Sequence, residues 1–109
     1  MSTFFEYPQI TKGCKHYHVS AIAINGVVQI RDLYAQESCK NKRMEHKLLR
    51  LVELFAAGQN AKKIIVYCGP EDFGPSRFSS LEQEMEFYLS HGFRHVGTVG
   101  TAPMLEKCL

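Results

Sequence analysis

The chain has 109 residues, of which 45% are hydrophobic and 22% charged, with a formal net charge of +2 and a pI near 8.4. That length suits one domain over residues 1–109 with a modest core, and the composition is globular rather than disordered. So small a net charge gives no global argument for nucleic acid, and no apolar run approaches the roughly 20 residues of a membrane-spanning helix.

The N-terminus, Met1-Ser2-Thr3-Phe4-Phe5-Glu6, has no basic segment ahead of an apolar one, so a cytoplasmic location is expected. Cys14, Cys39, Cys68 and Cys108 are widely spaced, with no C-x-x-C pair, and are expected to be free thiols. Cys14, His16 and His18 alternate, so on a strand they share one face, where Cys39 or Cys68 would have to complete a zinc set. With no second close pair of ligands, no metal site is assigned.

The first predicted element is a hairpin, Tyr17–Ile24 and Val27–Ala35, closed by Asn25-Gly26, a dipeptide suited to the positive φ angles of a two-residue turn. An unbroken register puts Tyr17, Val19, Ala21, Ala23, Val28, Ile30, Asp32 and Tyr34 on one face, with Asp32 its single charge. A bulge would swap part of that pattern. A helix follows: Met44, Leu48, Leu51, Val52 and Phe55 keep 3–4 spacing, with Arg43, Lys47, Arg50 and Glu53 opposite and Gly58 as the expected stop. Residues 62–67 form a β-branched run that reads as a buried strand. Residues 68–80 carry Gly69, Pro70, Gly74 and Pro75 and read as a loop. Ser79-x-x-Glu82 and Ser80-x-x-Gln83 both fit a capping box opening a second helix, with Gly92 as its αL stop. Residues 93–99 and 101–105 read as two strands about Gly100. The predicted order is β-β-α-β-α-β-β, an α/β (α+β) fold with a mixed, mostly antiparallel sheet and two main helices.

The stretch Asp32-Leu33-Tyr34-Ala35, then Lys40-Asn41-Lys42-Arg43-Met44-Glu45-His46, then Lys47-Leu48-Leu49, resembles the strand–loop–helix signature of the GNAT superfamily of N-acetyltransferases. There an apolar strand leads into R/Q-x-x-G-x-G/A and a helix opening on paired leucines. Aligned on Lys47-Leu48-Leu49, Lys40 takes the R/Q position, Arg43 the first glycine's and Glu45 the second's. A second segment, Glu86-Phe87-Tyr88-Leu89-Ser90-His91-Gly92-Phe93, resembles the family's Y-x-x-x-G-F.

The resemblance implies acetyl-CoA as cofactor and transfer of its acetyl group to an amine that the sequence does not identify. The pyrophosphate would rest on backbone N–H groups of residues 39–46, because unpaired donors and the helix dipole attract an anion. That assigns Lys40, Asn41, Lys42, Arg43, Met44, Glu45 and His46 to the cofactor, with Leu33, Tyr34 and Ala35 contacting its pantetheine and acyl carbonyl through their backbone. Tyr88 matches the tyrosine that protonates the departing thiolate. Asp32, desolvated on an apolar face, is the candidate general base.

Two departures shape this reading. Side chains at 43 and 45 stand where glycines let a phosphate approach the backbone; the Arg43 guanidinium suits phosphate oxygens, whereas Glu45 adds a like charge. Family members also carry a strand and two helices ahead of the hairpin, where about 15 residues stand here. The resemblance thus implies a minimal, N-terminally shortened form with an open acceptor side, suited to a homodimer or a protein partner. The alternative function is a non-catalytic GNAT-fold interaction module that has lost acyl-CoA binding. A compact inhibitor from a mobile element is a third idea, with no residue to carry it.

Overall fold

The computed structural model describes residues 7–36, 43–69 and 80–109. Its elements are β1 (Gln9–Gly13), β2 (Tyr17–Ile24), β3 (Val27–Ala35), α1 (Met44–Gly58), β4 (Lys63–Tyr67), α2 (Leu81–Leu89), β5 (Arg94–Val99) and β6 (Ala102–Cys108). They form one six-stranded sheet in the order β1-β2-β3-β4-β6-β5. Only β3 and β4 pair in parallel; every other neighbouring pair is antiparallel. The expected β-β-α-β-α-β-β order is present, preceded by β1. That strand has a single apolar residue, Ile10, and pairing with β2 rather than its own pattern makes it a strand.

The hairpin turn is as expected, with Asn25 at φ 52° and Gly26 at φ 80°. Its register is not. Near the turn Ile24 pairs with Val27 and Ala21 with Ile30, but beyond it Ser20 pairs with Asp32 and His18 with Tyr34. A bulge at Arg31 adds one residue to β3 and exchanges the faces of the residues after it. Leu33 and Ala35 therefore point into the core, 5% and 3% exposed. Asp32 and Tyr34 move to the opposite face, so the expected position of Asp32 on the apolar face is corrected by this bulge.

Helix α1 buries Glu45, Leu48, Leu49, Val52 and Ala56. The stripe is centred one position away from the expected one, leaving Met44, Leu51 and Phe55 at its partly buried margin. The helix ends in a Schellman motif: Ala61 N–H donates to Ala56 O at 3.0 Å and Asn60 N–H to Ala57 O at 3.1 Å. Asn60, at φ 55°, supplies the left-handed residue expected at Gly58. Helix α2 starts on Ser80, whose Oγ accepts from Gln83 N–H at 3.2 Å, and stops at Gly92 with φ 93°.

Both helices lie on one face of the sheet. Leu48, Leu49 and Val52 of α1 and Tyr88 of α2 share a cluster with Val19, Val28, Ile64, Val66 and Leu105. Fully burying a side chain such as Leu48 or Leu49 stabilises by roughly 1.5–3 kcal/mol. Lys107 Nζ donates to Glu53 Oε2 at 2.6 Å and ties β6 to α1. On the other face Glu106, 8% exposed, accepts from Lys63 Nζ at 3.2 Å and from Arg94 Nη2 at 3.1 Å, holding β4, β6 and β5 together. These two cations hold the Glu106 carboxyl below its usual range.

Candidate functional site

The parallel ladder between β3 and β4 is short. It joins Val27–Ile30 to residues 63–66 and ends there, while β3 runs on through the Arg31 bulge to Ala35. The two strands part just where the bulge bends β3 away. Asp32, two residues past the last β3–β4 pair, lies on one face of the sheet, and Tyr88 lies in the core on the other. The backbone of Leu33, Tyr34 and Ala35, the predicted pantetheine contacts, lies along the edge of the notch between the two strands and pairs with β2 at Val19, His18 and Tyr17.

Tyr88 is 1% exposed, and its ring meets Phe87 and Phe93 edge-on at centroid distances of 5.1 and 5.2 Å. Burial above all, then the fields of Glu84, Cys68 and Asp32, push its phenol well above the ordinary value, so it stays protonated at neutral pH. Cys68, just past the end of β4, is fully buried, and burial with the Glu84 carboxylate pushes its thiol up to about 12. It is a packing thiol, not a nucleophile. The Glu84 carboxylate accepts from Gly69 N–H at 2.7 Å and so fixes the turn leaving β4. The sequence offers Cys68 only as a possible fourth zinc ligand and does not single out Glu84, because their roles here arise from the β4–α2 contact.

Asp32 is not isolated. Its Oδ2 accepts from His18 Nδ1 at 2.9 Å, with the side chains 25% and 29% exposed, and Tyr34 stacks on His18 at 6.0 Å. The sequence concealed this pairing, because only the bulge brings Asp32 onto the face of His18. Cys14 and His16 do not join them: Cys14 is exposed and His16 Nδ1 faces Gln36 Oε1 at 3.0 Å. No group of three metal-ligating side chains occurs among the described residues.

At the start of α1, Arg43 occupies the N-cap with φ 55° and ψ 39°. This is the left-handed conformation that glycine adopts without strain, at the position where the resemblance places the first glycine. The backbone turn is therefore kept although the residue is not glycine. Glu45, at the second glycine position, is only 7% exposed and lies in the first turn of α1, where the helix dipole favours a carboxylate. Met44 is half-buried, and Lys40, Asn41 and Lys42 lie outside the described residues.

His46 joins the two helices. The Phe87 carbonyl can only accept, so His91 Nδ1, at 2.7 Å from it, carries the proton, and His91 Nε2 accepts from His46 Nδ1 at 2.8 Å. Burial, then His91 and Arg43, lower the His46 pKa against the opposing effect of Glu45. The opposite face of the sheet carries a groove lined by Ile22, Ile24, Gln29, Arg31, Tyr67 and Val99, among others. No helix among the described residues is long and apolar enough to cross a membrane.

No protein-family model matches the chain, and no curated protein does. Solved structures do. The PaiA N-acetyltransferase of Thermoplasma acidophilum, in complex with coenzyme A, superposes with a TM-score of 0.71 at 17% identity, over 86% of this chain and 54% of that one. A GNAT family acetyltransferase of Elizabethkingia anophelis with acetyl-CoA bound gives 0.68 at 16% identity, over 86% and 69% of the two chains. The anti-CRISPR protein AcrVA5 gives 0.71 at 17% identity, over 90% and 96%. The chain thus spans about half the length of the PaiA enzyme and nearly all of AcrVA5. At these identities the likeness is one of fold, and the fold of this chain is that of the GNAT acetyltransferases.

Proposed function

We propose that the chain, as one GNAT-like domain over residues 1–109, binds acetyl-CoA in the notch between β3 and β4 and transfers the acetyl group to an amine. The observation that carries this reading is the parting of β3 from β4 after the Ile30–Val66 pair, with a left-handed turn at Arg43 opening α1. The parted strands offer the β3 backbone at Leu33, Tyr34 and Ala35 to an extended ligand. The start of α1 offers N–H donors and the Arg43 guanidinium to a pyrophosphate. These features fit the cofactor, and the burial of Glu45 keeps its carboxylate from projecting into solvent beside the phosphates.

Bound acetyl-CoA supplies an activated acyl carbon. Tyr88 holds a proton on its phenol for the departing thiolate, and its apolar surroundings exclude water from that end of the notch. Asp32 stands on the far side of the sheet, placed to help remove a proton from the incoming amine. Release of free thiol from acetyl-CoA in the presence of spermidine, a lysine-containing peptide or phenylethylamine tests the activity; no release above the protein-free rate with any of them sinks it.

Among the described residues no helix covers the second face of the sheet, which favours a second reading, an interaction module that uses this surface for a second copy or a protein partner. Its groove is mostly apolar and Val99 at its edge is 58% exposed. This reading predicts concentration-dependent association without any response to CoA.

A further inference from the structure

We infer that His18 is the group that takes the proton from the acceptor amine and that Asp32 is its positioning residue. The inference rests on the acetyl-transfer reading and sharpens it, because Asp32 alone was the expected base. The Arg31 bulge moves Asp32 off the core face and sets it diagonally across from His18, with Nδ1 and Oδ2 2.9 Å apart. A carboxylate accepts only, so the bond fixes the proton on Nδ1 and leaves Nε2 as the acceptor nitrogen. Tyr34, stacked on the imidazole, restrains the ring plane.

The dyad is part-exposed, as a base that meets a solvent-borne substrate must be. It is also close to the notch: Asp32 is the second residue past the last β3–β4 pair, and its charge is felt by Tyr88 on the other side of the sheet. The two proton-handling groups thus lie on opposite faces of the sheet, with Asp32 directly past the point where the strands part. A carboxylate is intrinsically a weak base toward an amine, whereas an imidazole is the side chain most often used as a general base under neutral conditions.

The step balances without a redox partner. An ammonium gives its first proton to solvent before reacting, and Nε2 of His18 removes one proton from the neutral amine nitrogen as it bonds to carbon. The C–N bond forms as the C–S bond breaks, and the sulfur takes a proton from Tyr88, giving amide and free thiol. Both proton carriers are reset by solvent.

The test compares wild type with His18→Gln, His18→Ala and Asp32→Asn, using acetyl-CoA and the fastest acceptor among spermidine, a lysine-containing peptide and phenylethylamine. His18→Gln is expected to lower kcat by about 10²- to 10⁴-fold, the usual contribution of a general base, with CoA affinity unchanged by calorimetry. Imidazole added to His18→Ala should restore activity in proportion to its concentration. In Asp32→Asn the rate should fall because the imidazole loses the partner that holds its Nδ1–H and its orientation, while CoA affinity stays as in wild type. Nitrogen NMR of the wild-type imidazole should show the Nδ1–H tautomer with no ligand present. A His18→Gln rate within threefold of wild type, or no imidazole rescue in a folded His18→Ala, overturns the assignment while acetyl transfer stands. No thiol release by wild type overturns both, and does so in the parent protein rather than in the variant.

Discussion

The left-handed backbone of Arg43 provides the most local test of how the start of α1 is built. At φ 55° and ψ 39° the Cβ crowds the following carbonyl, at a cost of roughly 1–2 kcal/mol. Arg43 makes no side-chain capping bond, so replacing it forfeits none. Arg43→Gly removes the crowding, while the greater freedom of glycine in the unfolded chain takes back about 0.5–1 kcal/mol. The net is a stabilisation of about 0.5–1 kcal/mol. For 109 residues at about 2.1 cal/mol/K each, the unfolding entropy is near 0.23 kcal/mol/K, so Tm should rise by about 2–4 °C. Differential scanning calorimetry measures it, with Arg43→Ala as the control that loses the guanidinium but keeps the crowding. A fall in Tm for the glycine variant, or equal changes for glycine and alanine, would refute the argument that position 43 retains a glycine-like turn.

Other outcomes follow from the same geometry. Tyr88→Phe keeps the aromatic packing against Phe87 and Phe93; it should bind CoA as wild type does while losing about 10²-fold or more in acetyl-transfer rate, read by thiol release. Glu106 has a depressed folded-state pKa, so its contribution is present above the ordinary value of 4.5 and is lost as pH falls through the lower folded value. Urea midpoints of Glu106→Gln should therefore lie below wild type at neutral pH and converge with it in acid. His46 also has a lowered pKa, so its neutral form is favoured by folding: stability is intact above the ordinary 6.5 and declines as pH falls through the folded value. His46→Gln should remove part of that decline in thermal melts, and an unchanged pH profile would contradict the His46–His91 contact.

Much of the architecture was legible because it follows from local signals. Asn25-Gly26 set the hairpin bounds, Ser80 and Gly92 bracketed α2, and the β-branched run gave β4. What was not legible depends on long-range pairing. One extra residue at Arg31 leaves no mark in the alternation of β3, yet it sends Leu33 and Ala35 inward and Asp32 outward to His18. Strand β1 lacks an apolar pattern and exists through β2. The role of Asn60 at the end of α1 depended on how far the helix ran past Gly58. The candidate site was thus located in the sequence by resemblance, at the β3–α1 junction and at Tyr88, whereas the His18–Asp32 contact emerged only once the register was known.

The most direct test of the central proposal is a calorimetric titration of the whole chain with CoA, followed by a thermal melt at saturation. One CoA should bind per chain, and at a ligand concentration 100 times Kd it should stabilise the fold by about 2.7 kcal/mol. Binding should weaken when Arg43 is replaced by Glu, whose charge opposes the pyrophosphate. No heat and no thermal shift at millimolar CoA would contradict it.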